Sequence, residues 1–345
     1  MGQRWPMVVR CHEKITVEQQ GSSFFTVDEC PAGHPPGIEK NDLIDNHCES
    51  CSLRKAGPML AKKVKLVKRP PGKKIKRPPG KRVPKFDMSI FQSQPEASQV
   101  VWSRPEGVVL EMDAIQLLKN LKDESVDLAV FDPAYESLEK HRKSGTTTRL
   151  KQSKASSNDW FGTFPNASYW PLFEQLYRVM KPGTFIFMFC DQETRDIVVH
   201  GAHPDVENSI VDPGQWGPLV ETGFKLWKSI IWDKEHAGMG YHFRARHEFI
   251  ILAEKVVKKN KHRKLNDLGM PDVLQHTRLK GSSFYPTEKP AGLIKDLILQ
   301  GSNEGDLVVD FFSGSGVTGQ VCRENNRRFV LGDLKTDQII KRLGL

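Results

Sequence analysis

The feature that most limits how this chain folds is a buried strand that runs directly into a glycine-rich turn and then a helix. Residues 307–312 (LVVDFF) are followed by Ser313-Gly314-Ser315-Gly316 and by a helical pattern from Val317. Such a unit needs a sheet to sit in, and its turn lets a nucleotide-like ligand approach the backbone. Gly314 and Gly316 keep side chains out of that approach. Asp333 stands 23 residues after Asp310, just past the next apolar run. That is close to the offset of roughly 20 residues at which an acid meets ribose hydroxyls in units of this kind.

The rest of the pattern supplies the sheet. Residues 107–112, 126–131, 184–189, 230–232, 249–252 and 329–331 read as further buried strands, while 170–180 and 291–300 are apolar at helical spacing and end at Gly or Pro-Gly. Strand and helix in alternation predict an α/β body with a mostly parallel sheet.

Charge divides the chain. Residues 61–86 hold twelve Lys and Arg and no acid; subtracting them from the net charge of +9 leaves −3 for the rest. Lys-Arg-Pro-Pro-Gly-Lys occurs there twice, at 68–73 and 76–81. This composition buries little apolar area and favours an extended, solvated chain. It reads either as a plain linker or as a basic tether for a polyanion such as nucleic acid. The predicted organisation is a Cys/His-rich head (1–58), a basic Pro/Gly-rich linker (59–88) and an α/β body (89–345).

The head has four of the six cysteines. Cys30, His34, Cys48 and Cys51 are a candidate tetrahedral zinc set, with Cys11 in place of His34 as a variant, or they are ordinary reduced thiols. No run of about 18 apolar residues and no secretory leader is present, so a soluble cytoplasmic protein without a membrane partner is expected.

A second turn completes the picture. Asp132-Pro133-Ala134-Tyr135 follows the apolar run 126–131, at the strand end where open α/β sheets bind ligands. It offers a carboxylate, a main-chain carbonyl and an aromatic ring.

In this order the motifs resemble the permuted beta class of DNA amino-methyltransferases, whose catalytic DPPY-type motif precedes the cofactor motif. Asp132 to Tyr135 resembles DPPY, residues 310–318 resemble D-P-F-x-G-S-G-T-T, and 284–290 (FYPTEKP) resembles a segment H-P-T-x-K-P. Residues 178–183, Ile231-Trp232-Asp233-Lys234 with His247-Glu248, and 327–333 agree as well, so the resemblance spans roughly 105–345. It implies a Rossmann-like, S-adenosylmethionine-dependent fold with circularly permuted motif order, acting on double-stranded DNA in a restriction-modification or related role. Asp132, Pro133 and Tyr135 would then be catalytic. The acceptors of Asp132 and Pro133 localise the lone pair of an aromatic amine on nitrogen, and Tyr135 stacks a flipped base.

The same resemblance places Asp310, Phe312, Ser313, Gly314, Gly316 and Thr318 on the methionine side of the cofactor and Asp333 on its ribose. Thr287 and Lys289 complete that pocket. Asp113 contacts the cofactor's adenine in the family's pattern, or simply caps a helix. Departures occur at Ala134, which removes rigidity but neither acceptor, and at Met112, Phe311 and Tyr285, each of which leaves the backbone role possible. Asp in the first motif position favours adenine N6 over cytosine N4. Methylation at cytosine carbon would need a thiol nucleophile, usually in a Pro-Cys turn, and no cysteine follows a proline. A short basic region, 255–283, is the candidate for target recognition, and its shortness leaves room for help from a second copy in a homodimer. The competing readings are a cytosine-N4 enzyme, an RNA substrate, and a DNA-binding protein that keeps the fold but has weakened catalysis.

Overall fold

The computed structural model describes residues 15–19, 23–27, 85–137, 162–201, 216–238, 243–257, 263–279, 284–285 and 287–344. The chain divides into two units, residues 1–79 and 80–345. In the first, β1 (Ile15–Gln19) and β2 (Ser23–Val27) pair antiparallel with Ile15 opposite Val27. Cys30, His34, Cys48, Cys51 and the tether up to residue 84 lie outside the described residues.

The second unit is built on nine strands: β3 (Val100–Arg104), β4 (Gly107–Glu111), β5 (Val126–Phe131), β6 (Met180–Cys190), β7 (Phe224–Asp233), β8 (His247–Lys255), β9 (Val273–Gln275), β10 (Leu307–Asp310) and β11 (Arg328–Asp333). Their order across the sheet is β3-β4-β11-β10-β5-β6-β8-β7-β9. The run from β4 to β6 is parallel throughout, as is the β7·β9 pair, while β3, β8 and β7 bring in the antiparallel pairings. The sheet is therefore mixed and mostly parallel.

Helices cover both faces. On one side lie α1 (Ala114–Asn120), α2 (Tyr169–Val179), α3 (Gln192–His200) and α4 (Pro218–Glu221); on the other lie α5 (Ala291–Gly301), α6 (Val317–Glu324) and α7 (Asp337–Leu343). Strand β5 shows why the apolar runs lack polar alternation. All six of its residues are buried, with Ala129 and Phe131 in the core that holds Leu117 and Phe173, and Leu128 and Val130 in the core that holds Leu297 and Val321. A strand covered on both faces has no wet side to mark with polar residues.

Several boundaries differ from the sequence reading, and two of them bear on the site and its packing. The strand expected to reach residue 312 stops at Asp310, so Phe311 and Phe312 belong to the turn. The helix expected over 170–180 runs Tyr169–Val179, and Met180 opens β6. Its buried residues, Tyr169, Leu172, Phe173, Leu176 and Val179, form one stripe, and Trp170 faces outward at 41% exposure. No helix among the described residues is long and apolar enough to cross a membrane.

Candidate active site

Four loops meet at the carboxyl ends of neighbouring parallel strands: those after β5, β10, β11 and β4. The order of the sheet places β10 between β5 and β11, so the turn at Asp132 and the turn at Asp310 are side by side. The ring of Phe131 lies 4.5 Å from Phe311 and 6.4 Å from Phe312, centroid to centroid. Crevices of this kind, outside the strand ends, are where open sheets bind ligands.

In the first turn the Asp132 carboxylate is held from both sides. The Tyr135 hydroxyl donates to Oδ1 at 2.7 Å, and the Lys289 ammonium donates to Oδ2. Tyr135 is buried at 8% exposure and pairs with Phe164 in a short bridge; the Phe164 amide donates to the Ala134 carbonyl at 2.7 Å. Pro133 is buried as well.

Lys289, expected on the cofactor side, thus reaches the Asp132 turn. Its ammonium also lies 3.5 Å from Glu248, whose other oxygen is 3.2 Å from Lys234, so two acids and two cations alternate. Phe189 and Trp232 wall this chain, with ring centroids 5.1 and 5.8 Å from the Lys289 nitrogen. Burial raises the Asp132 carboxyl above the usual range, with Lys289 opposing and Glu248 adding to the rise. Glu248 is itself held low, because its two lysines outweigh its burial, and Lys289 is held high by the two acids. The sequence reading assigned no role to Glu248 or Lys234. The available signal was an acid beside a Trp-Asp-Lys strand end, since Trp232 pairs with Glu248 in the sheet.

The second turn is built on Asp310. Its carboxylate accepts from the Thr318 hydroxyl at 2.6 Å and from the Phe312 amide at 3.0 Å, and its carbonyl accepts from the Ser313 hydroxyl at 2.6 Å. Burial pushes its carboxyl up to about 7 in spite of those donors. Gly314 and Gly316 have φ of +45° and +74°, a region that glycine enters without strain. Side chains there would meet protein: a Cβ at 314 would stand 3.0 Å from the Tyr285 ring, and one at 316 would stand 3.0 Å from Ile339. Both glycines are therefore required first by the backbone and its packing.

Asp333 joins the two neighbouring loops. Its Oδ2 accepts from the Gly314 amide at 2.8 Å, its Oδ1 from the Lys335 amide at 3.1 Å, and its carbonyl from the Met112 amide at 3.1 Å. Burial raises its carboxyl. Asp113 is exposed and caps α1, accepting from the amides of Ile115 and Gln116 at 2.9 and 3.1 Å. Thr287 is exposed. Tyr285 stands in its middle: burial, then Asp333, Asp132 and Asp310 together, push its phenol up.

Among the described residues no group of three or more His, Cys, Asp or Glu is arranged to hold a metal ion. In the region 255–283, residues 258–262 and 280–283 lie outside the described residues. Of its basic residues, Arg263 is paired with Asp306.

Against known families, residues 126–341 match the N6_N4_Mtase model, described as DNA methylase. The Type II methyltransferase M.HhaII of Haemophilus parahaemolyticus is 28% identical over 229 residues, covering 65% of this chain and 89% of the relative. M.HpaI of Haemophilus parainfluenzae, also a Type II methyltransferase, is 26% identical over 247 residues, covering 66% and 70%. Among solved structures, the PvuII DNA methyltransferase (cytosine-N4-specific) aligns at a TM-score of 0.49 and 17% identity, over 72% of this chain and 87% of that one.

Proposed function

This chain belongs to the N6/N4 DNA methylase family, and from that premise we propose that it transfers a methyl group from S-adenosylmethionine to N6 of adenine in double-stranded DNA. The observation that carries this reading is the adjacency of the Asp132 turn and the glycine-rich Asp310 turn at the ends of neighbouring strands. One offers acceptors for an amine, the other a backbone cradle for a cofactor. The catalytic turn comes first in the sequence, which supports the permuted beta class.

The residues fit the cofactor. Asp310, buried, and Asp333, half-buried, are carboxylates at adjacent strand ends, suited to an ammonium group and to ribose hydroxyls. Asp333 already accepts two amide hydrogen bonds, yet a carboxylate has about four acceptor sites, so it keeps room for the ribose. Asp310, Phe312, Ser313, Gly314, Gly316 and Thr318 would border the methionine part, Asp113 the adenine, and Thr287 and Lys289 the edge facing the target. S-adenosylmethionine supplies an electrophilic methyl group on a sulfonium.

The chain's own work is to make the amine a nucleophile. The Asp132 carboxylate and the Pro133 carbonyl accept its two hydrogens, which draws the lone pair out of the ring and onto nitrogen. Tyr135 orients the carboxylate through its hydroxyl. Stacking of a flipped base on Tyr135 requires that its buried ring be uncovered as the nucleotide enters. Asp in the first motif position favours adenine over cytosine. The Type II class of the relatives is carried over as part of this proposal, as is help from a second copy, given the short recognition region.

The test is to express the chain in a host without endogenous DNA methylation and to identify the modified base by sequencing. N6-methyladenine in a short motif is expected. N4-methylcytosine would reassign the target, and unmodified DNA from a chain that binds the cofactor would leave a DNA-binding role.

A further inference from the structure

Arg342 stands near the end of the chain on α7, yet it joins three parts of the cofactor side. Its Nε donates to the Ser315 carbonyl at 2.6 Å, one terminal nitrogen to Gln320 at 2.8 Å and the other to the Glu288 carboxylate at 2.6 Å. The guanidinium carbon also lies 4.4 Å from the centroid of the Phe284 ring. The Arg342 and Glu288 side chains are 14% and 8% exposed, so the pair works largely out of water. Arginine suits such a place because its planar fork binds along its edge while its face stacks on a ring.

Gln320 is on α6, and the other two parts are loops. Ser315 lies between Gly314 and Gly316 in the turn after β10, and Phe284, Tyr285 and Glu288 precede α5. Loop segments lack a ladder of backbone bonds, and their positions depend on side-chain contacts. The Tyr285 ring packs over Gly314, and Lys289, next to Glu288, holds Asp132. Neighbouring residues of one short segment therefore reach the catalytic carboxylate on one side and Arg342 on the other.

We propose that Arg342 is a positioning residue for the cofactor, locking the glycine-rich turn against the segment that carries Phe284, Tyr285 and Glu288 and making α7 part of the cofactor site. The inference rests on reading that turn as the S-adenosylmethionine turn. It also gives Glu288 a function: the charge is there to hold Arg342.

Calorimetric titration of the full chain with S-adenosylmethionine tests this, using wild type, Arg342→Gln, Arg342→Lys and Glu288→Gln, with thermal melting alongside. Charged hydrogen bonds of this kind predict that each Gln variant weakens cofactor binding about 10-fold or more. The loss should appear as a raised KM for the cofactor and not in kcat at saturating cofactor. Arg342→Lys, which keeps the charge and loses the fork, should fall between. If Arg342→Gln fails to fold, Glu288→Gln, which takes the charge from the loop contact and leaves Arg342 in place, carries the test. Wild-type cofactor affinity in a folded Gln variant, or a loss confined to kcat, would overturn the proposal. A wild-type chain that takes up no cofactor would instead bring down the reading of the turn, and this inference with it.

Discussion

The Lys289 ammonium is bonded to Asp132, a residue 157 positions away in the chain, and stands between it and Glu248. The Asp132 carboxylate, catalytic in the proposed function, is thus set by a cation from the segment before α5. That arrangement orients Asp132 without using all its acceptor sites, since a carboxylate takes about four hydrogen bonds.

Asp132→Ala should abolish methyl transfer and leave S-adenosylmethionine binding within a few-fold of wild type, because the residue acts on the target amine. Loss of one such polar contact in a transition state costs roughly 100-fold or more. Single-turnover rates together with calorimetry check this. Turnover at the wild-type rate would remove Asp132 from the mechanism.

The pH dependence of kcat should report on the Lys289 chain. An acceptor must be ionised, so activity falls as pH drops through the raised carboxyl of Asp132. Glu248 adds to that rise and Lys289 opposes it. Glu248→Gln should therefore move the acid limb of the profile to lower pH, and Lys289→Met should move it to higher pH. Shifts in the same direction would contradict the electrostatic order.

Gly316→Val should first cost stability. Its φ of +74° is strained for a branched residue, and the new Cβ would stand 3.0 Å from Ile339. A melting temperature well below that of wild type is expected, with weaker cofactor binding following from displacement of the turn. Unchanged melting would mean that the turn adapts.

How much of this was legible in the sequence depended on how local the cause was. Residues 126–131 read as a strand and are one, because burial on both faces leaves an unbroken apolar run. Helix α5 was placed to within a residue by its spacing of Leu293, Ile294, Leu297 and Ile298. Strand β3 was missed because VVWSR is only half covered at the sheet edge, and β9 because three residues show no period. The candidate acids Asp132, Asp310 and Asp333 were read from their turns, and the structure places those turns side by side; Asp113 caps α1, one of its two readings. What joins the turns was not legible. The pairs of Lys289 with Asp132 and Arg342 with Glu288 exist only once the sheet order has brought distant loops together.

The basic tether makes a separate prediction from its charge alone. If its twelve Lys and Arg lie along phosphates, each neutralised phosphate releases condensed counterion, and the logarithm of DNA affinity falls steeply with the logarithm of salt concentration. Deleting residues 61–86 should flatten that slope similarly on cognate and random duplexes, since backbone contacts do not carry sequence information directly. An unchanged slope in a salt titration would reduce the segment to a spacer.

The last prediction concerns Asp310, whose carboxyl burial pushes up to about 7 from the ordinary 3.8. Between those two values the folded chain binds a proton that the unfolded chain does not. Stability without cofactor should therefore fall as pH rises through this window and level off above it. Asp310→Asn should flatten that part of the profile in chemical denaturation. Cofactor binding should run the opposite way. If Asp310 meets the ammonium of the methionine part, only the ionised carboxylate serves, and below its pKa binding must first expel a proton. Affinity should then weaken, approaching about tenfold per pH unit on the acid side. Calorimetry between about pH 5.5 and 7.5 should show tightening with pH in wild type and a flat response in Asp310→Asn. If stability shows the expected slope and affinity does not, Asp310 is a buried acid of the turn that leaves the ammonium to another group.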